Sequence, residues 1–121
     1  MSFVAQNPGH FAGQAVGSGQ CVAFVERAAG APLTAQWRRG AQVKDSHPPA
    51  GTAIATFDPD GTYGNHTDGR SHAAIFLEQN PGGLLVWDQW LGHPVSQRVI
   101  RFNNAGAQPV NQGEQYYVIE T

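Results

Sequence analysis

Cys21 is the only cysteine in the chain, and its surroundings suit a reactive thiol. It follows Gly17-Ser18-Gly19-Gln20 and opens the run Cys21-Val22-Ala23-Phe24-Val25-Glu26-Arg27-Ala28-Ala29, which reads as a helix ending at Gly30 and Pro32. A helix N-terminus has unpaired N–H groups and about half a positive charge, which favour thiolate over thiol. The same N–H groups can hold the oxyanion of a tetrahedral intermediate. One cysteine excludes an internal disulfide and a Cys₄ or Cys₂His₂ zinc site. It is therefore either a small buried hydrophobe or a nucleophile.

A thiol nucleophile needs a base held by a third group. His72 is the candidate base, at the start of the apolar strand Ser71–Leu77, where a side chain on the sheet rim can reach a packed helix. The turn Asn80-Pro81-Gly82-Gly83 brings residues 84–90 antiparallel to 71–77 and sets position 72 near 91. Asp88 and Gln89 then fall close to His72 on opposite faces of their strand, and pattern alone does not say which face holds the site. Asp88 is favoured, because a carboxylate both orients the imidazole and stabilises its charged form.

Around this pair, Gln20 (or Gln14) is a candidate oxyanion donor. Tyr63 and His66, in the loop before the His72 strand, together with Gln89 and Trp90, are candidates for substrate contact. Trp87 suits either a groove or strand packing, and Trp37 suits the core. Asp58-Pro59-Asp60-Gly61 lacks the third Asp and distal Glu of a calcium loop and reads as a turn. The spacing of His66, Asp68 and His72 matches no metal-binding pattern, so no metal or other cofactor is expected.

The elements that must position these residues follow from turn signals. Strands are expected at 51–57, 71–77, 84–90, 95–102 and 116–120, and a second short helix over 34–44 capped by Thr34. Helix first and strands after give an α+β domain, one or two N-terminal helices on an antiparallel sheet. All 121 residues fit one domain. Fifteen Gly and eight Pro argue against a helical bundle, and 40% hydrophobic against 13% charged residues argues for a packed core. With a net charge of −2 and basic residues spread thinly, nothing forms the stripe that nucleic acid requires. No apolar run reaches the roughly 18 residues of a membrane span. The N-terminal segment lacks the basic-then-apolar pattern of a Sec signal, so the chain is expected to start in the cytoplasm and to need another route if it acts outside.

Three segments together resemble the NlpC/P60 and CHAP cell-wall amidases and peptidases. Gly19-Gln20-Cys21-Val22-Ala23-Phe24-Val25 resembles their nucleophile helix, Ser71-His72-Ala73-Ala74-Ile75-Phe76-Leu77 their histidine strand, and Val86-Trp87-Asp88-Gln89 their later strand end. Trp37, Gly40 and Gly51-Thr52-Ala53-Ile54-Ala55 resemble the lead into their first strand. Ser71 stands where Gly usually precedes the histidine, and no wall-binding repeat is present. The resemblance spans roughly 17–92. It implies a papain-like catalytic domain over 1–121, with N-terminal helices on a five- to six-stranded antiparallel sheet. It implies hydrolysis of an amide bond in peptidoglycan by Cys21, His72 and Asp88, with no cofactor. Small size and the missing signal are similar to amidase effectors injected by type VI secretion, for which an immunity protein is a candidate partner. Two alternatives share the fold: a deamidase or transglutaminase-type toxin acting on protein, and a non-catalytic binding module.

Overall fold

Apolar side chains on both faces of neighbouring strands require cover on both faces, and that requirement shapes this molecule. The computed structural model describes residues 1–121. It contains one α-helix, α1 (Cys21–Ala29), and six strands: β1 (Arg38–Gln42), β2 (Ala53–Thr56), β3 (Ala73–Asn80), β4 (Gly83–Trp90), β5 (His93–Arg101) and β6 (Tyr116–Glu120). They form one antiparallel sheet in the order β1-β6-β2-β3-β4-β5. No helix is long and apolar enough to cross a membrane.

β2 and β3 lie at the centre and are buried on both faces. One face carries Ala53, Ala55, Ala73 and Ile75, and α1 packs on it through Phe24 and Val25, both without solvent exposure. Trp37 joins this layer as expected, its Nε1–H donating to the Pro32 carbonyl at 2.9 Å. The other face carries Ile54, Ala74, Phe76, Leu84 and Val86 under Tyr116 and Ile100. α1 stops at Gly30, whose φ of 71° only glycine adopts without strain.

The expected helix over 34–44 does not form. A single 3₁₀ turn, Thr34–Gln36, leads into β1, and Thr34 makes no cap. Within 34–44 only Trp37 and Val43 are buried, six positions apart, so there is no apolar stripe to hold a helix against the sheet. Pairing of β1 along β6 supplies the backbone hydrogen bonds instead. The sequence thus has one N-terminal α-helix rather than two, and a sixth strand where the second helix was expected.

The β3–β4 hairpin carries a bulge that matters for the site. Asn80 pairs with Gly83, Gln79 with Leu84 and Glu78 with Leu85, but Phe76 pairs with Val86 and Ile75 with Trp87. Leu77 is the extra residue. Beyond it the alternation of faces is offset by one, because side-chain direction has a period of two. His72, Ala74 and Phe76 therefore share a face with Val86 and Asp88. In a regular ladder Leu77 would have paired with Val86, and they would have shared a face with Trp87 and Gln89.

Gly40 tests the strand assignment at β1. A Cβ there would fall 2.6 Å from the Val118 carbonyl oxygen and 2.7 Å from Glu120 Cγ. Gly40→Ala is expected to destabilise the fold by about 1–3 kcal/mol through overpacking, read by chemical denaturation. In a helix the same change would stabilise by about 1 kcal/mol.

Candidate active site

The first turn of α1 presents Cys21 at the C-terminal end of the loop 16–20, and a buried amide fixes that loop. Gln89, without solvent exposure, accepts the Val16 N–H at 2.9 Å and donates to the carbonyls of Val16 (2.9 Å) and Gln20 (2.7 Å). Gln89 was expected to contact substrate. Its place on the helix face of β4 makes it a clamp on the backbone ahead of the nucleophile. Ala23 N–H donates to Gln20 O, and the Cys21 and Val22 amides before it have no backbone acceptor. These free donors sit beside the sulfur.

His72 enters from the end of β3 and is 6% exposed. Thr56 fixes its backbone: the His72 N–H donates to Thr56 Oγ1 at 3.0 Å, and Thr56 N–H donates to the His72 carbonyl at 3.0 Å. Nε2 of His72 lies 2.8 Å from Asp88 Oδ2. Asp88 is thus the partner on the imidazole, and Nδ1 is the nitrogen left for the thiol. The same carboxylate oxygen accepts the Arg98 Nε–H at 2.6 Å. Asp88 has no solvent exposure, and its Oδ1 has no partner. Cys21, His72, Asp88 and Arg98 form one row of alternating charge whenever a proton sits on the imidazole rather than the sulfur.

The electrostatics favour that placement. Burial pushes the Cys21 thiol up, but hydrogen bonding with His72, the His72 charge, the Ala73 N–H and the Tyr63 hydroxyl together hold it below its ordinary value. Burial also disfavours the imidazolium, yet the hydrogen bonds and charges of Asp88 and Cys21 more than offset this, and the His72 pKa is raised to about 9. The Tyr63 hydroxyl is 3.8 Å from Cys21 Sγ. Burial, and then the neighbouring thiolate, push its own pKa far up, so it stays a donor. Tyr63 is 7% exposed and packs on Trp37 with ring centroids 4.9 Å apart. It therefore supports the sulfur from inside rather than meeting substrate from the loop, as the sequence had suggested.

The cleft over Cys21 encloses about 260 Å³, between Gln20, His72 and Trp90. The Gln20 side chain is exposed and free of hydrogen bonds within the chain. Trp90 is 41% exposed at the rim and stacks on His93 at 3.9 Å. His66 also lines the cleft, but both ring nitrogens are engaged: Arg70 Nη2 donates to Nδ1 at 3.1 Å, and Nε2 donates to Asp58 at 3.0 Å. It is a fixed wall rather than a second base or a metal ligand. Asp58–Gly61 is a turn closed by Gly61 N–H on Asp58 O at 2.9 Å, as expected.

Two contributors were missed from sequence. Thr56 looked like one polar residue in an apolar strand. Arg98 shares the inward face of β5 with buried Ile100 and pairs with Val86. A cation on an inward face needs a buried carboxylate, and that alternation was the available signal.

Comparisons with known proteins converge. The family description "Domesticated amidase effector 2" matches residues 1–119. A protein of Ixodes scapularis named domesticated amidase effector 2 is 39% identical over 107 residues, covering 84% of this chain and 70% of that protein. A type VI secretion amidase effector 2 protein of Salmonella typhi is 36% identical over 114 residues, covering 84% of each. The solved structure of type 6 secretion amidase effector 2 (Tae2) superposes with a TM-score of 0.86 at 33% identity, covering 98% of this chain and 94% of that one.

Cys21 is expected to alkylate with iodoacetamide at pH values where free cysteine, pKa about 8.5, is slow. Its rate should fall only as pH drops below the lowered thiol value. His72→Ala removes the group that favours the thiolate most and shifts the rate profile to higher pH. An unchanged profile in His72→Ala contradicts the pairing.

Proposed function

The chain belongs to the domesticated amidase effector 2 family, and from that premise we propose that it hydrolyses an amide bond of the peptides in bacterial peptidoglycan, as a papain-like cysteine amidase of the NlpC/P60 type. The observation that carries this reading is the Cys21–His72–Asp88 row at the mouth of the cleft. The names of its relatives, amidase effectors of type VI secretion, support cleavage of an amide bond, and a wall peptide is the substrate we infer for such an effector.

In this mechanism the Cys21 thiolate attacks the scissile carbonyl carbon. The developing oxyanion takes hydrogen bonds from the free amides at the start of α1, with the Gln20 side chain as a further donor. The His72 imidazolium gives its proton to the leaving nitrogen, the C–N bond breaks, and a thioester remains on Cys21. His72, now neutral, takes a proton from water as that water attacks the thioester. The acid leaves, and the proton on His72 restores the starting pair. Asp88 keeps Nε2 protonated and the ring aimed throughout. Asp88 thus acts as a positioning residue. This chemistry calls on no metal.

Delivery follows the relatives. We infer type VI-like export to the wall compartment of a target cell, and an immunity protein that occludes the cleft in the producing cell. The deamidase reading uses the same pair, so products decide between them.

Purified protein incubated with peptidoglycan sacculi is expected to release new muropeptide fragments, identified by mass spectrometry, that are absent with Cys21→Ala. Failure to cut sacculi, with deamidation of a protein substrate instead, would replace the wall reading. His72→Ala should lose on the order of 10²–10⁴ in rate.

Turnover should decline as pH rises through about 9, where the imidazolium is lost as general acid. In Asp88→Asn that alkaline limb should move to lower pH, because the group that raises the His72 pKa is gone. A stationary limb would remove Asp88 from the mechanism.

A further inference from the structure

Arg98 has more donors than the catalytic row uses. Its Nε–H goes to Asp88, and that is its only carboxylate partner. The Tyr116 hydroxyl lies beside the guanidinium and accepts from it, while donating its own proton to the Val110 carbonyl at 2.8 Å. The rest of the guanidinium borders a pocket of about 420 Å³ that shares the His66–His72–Trp90 wall with the nucleophile cleft. The two spaces therefore form one groove, with Cys21 toward one end and Arg98 toward the other.

No acidic side chain lines that pocket. The guanidinium carbon also lies over the Trp90 ring, 5.2 Å from its centroid, while Trp90 itself stacks on His93. A planar fork with five donors, more than Asp88 and Tyr116 engage, lying over an aromatic ring and bordering a pocket without acids, has the chemistry of a carboxylate receptor. Arg98 is 25% exposed along its side chain, so the site is partly desolvated and still reachable.

We propose that the pocket bounded by Arg98, Trp90, His66 and Asn111 is a subsite for a free carboxylate of the substrate peptide, received by the terminal N–H groups of Arg98. The proposal rests on the wall-peptide reading, since stem peptides carry free carboxylates beside their amide links. One guanidinium then serves two ends. Its Nε–H fixes Asp88, and its outer edge selects substrates with an anion at a set distance from the scissile bond. Peptides whose carboxylate is masked as a carboxamide lose the charge-assisted bonds and become poor ligands.

The test separates this from a purely structural Arg98. Cys21→Ala protein, which cannot turn over, is titrated calorimetrically with a stem tetrapeptide bearing free carboxylates and with the same peptide carrying carboxamides. The acid is expected to bind more tightly by roughly tenfold or more, from the range of charged hydrogen bonds. Adding Arg98→Gln should bring the ratio near one, and Arg98→Lys should keep part of it. If Arg98 acted only through Asp88, acid and amide would bind equally well in the protein that retains it. That result overturns the subsite and leaves the hydrolase reading standing. A preference that survives Arg98→Gln overturns it as well. Binding of neither peptide removes the wall-peptide reading together with the subsite. Should Arg98→Gln fail to fold, Arg98→Lys takes its place: an acid preference that this change leaves undiminished overturns the subsite, as does equal binding of acid and amide with Arg98 in place.

Discussion

A carboxylate with no contact with solvent needs a cation, and Asp88 has two. An isolated buried charge costs several kcal/mol, so the fold around Asp88 is organised to neutralise it. Arg98 from β5 and His72 from the end of β3 converge on one oxygen, Oδ2, at 2.6 and 2.8 Å. Once His72 is held there as a cation, a second anion beside it becomes favourable. Cys21 supplies that anion. Two negative and two positive groups then balance in a site almost closed to water. The lowered pKa of the Cys21 thiol is thus a consequence of how a buried acid is compensated on β4, one strand in from the sheet's edge.

The two faces of the sheet divide the labour. The face under α1 fixes the Cys21 thiol: Phe24 and Val25 anchor the helix, and Gln89 ties down the loop that precedes it. The opposite face fixes the base through Asp88 and Arg98. The groups meet only at the strand ends, where β3 gives way to the loop carrying His66. This explains how a domain with one helix can hold a thiol and an imidazole in register. Each is pinned by a different layer, and both layers share the backbones of β3 and β4. The likeness to type 6 secretion amidase effector 2 extends over nearly the whole chain.

Much of this was legible before any coordinates. The lone cysteine after Gly-Ser-Gly-Gln, the histidine opening an apolar strand, and the hairpin turn at 80–83 are local signals. Local backbone chemistry acts through neighbours in sequence, which is why they could be read. α1, five of the six strands and the placing of Cys21 and His72 followed. β1 could not be read, because its residues carry no apolar period and it exists only by pairing with β6, some eighty positions away.

The sequence by itself singled out the groups that could react: a single thiol at a helix start and an imidazole with a carboxylate or an amide nearby. Only the tertiary structure decided which of Asp88 and Gln89 reaches the imidazole. The cause is Leu77, one extra residue in β3 that offsets the alternation of faces, and an unpaired residue in a ladder leaves no mark on hydrophobic pattern. Tertiary structure also turned Tyr63 inward beneath the sulfur and brought Arg98 onto Asp88. Both depend on side chains distant in sequence meeting inside a shared low-dielectric space, and the compensation of buried charge is a property of that space and of no single segment.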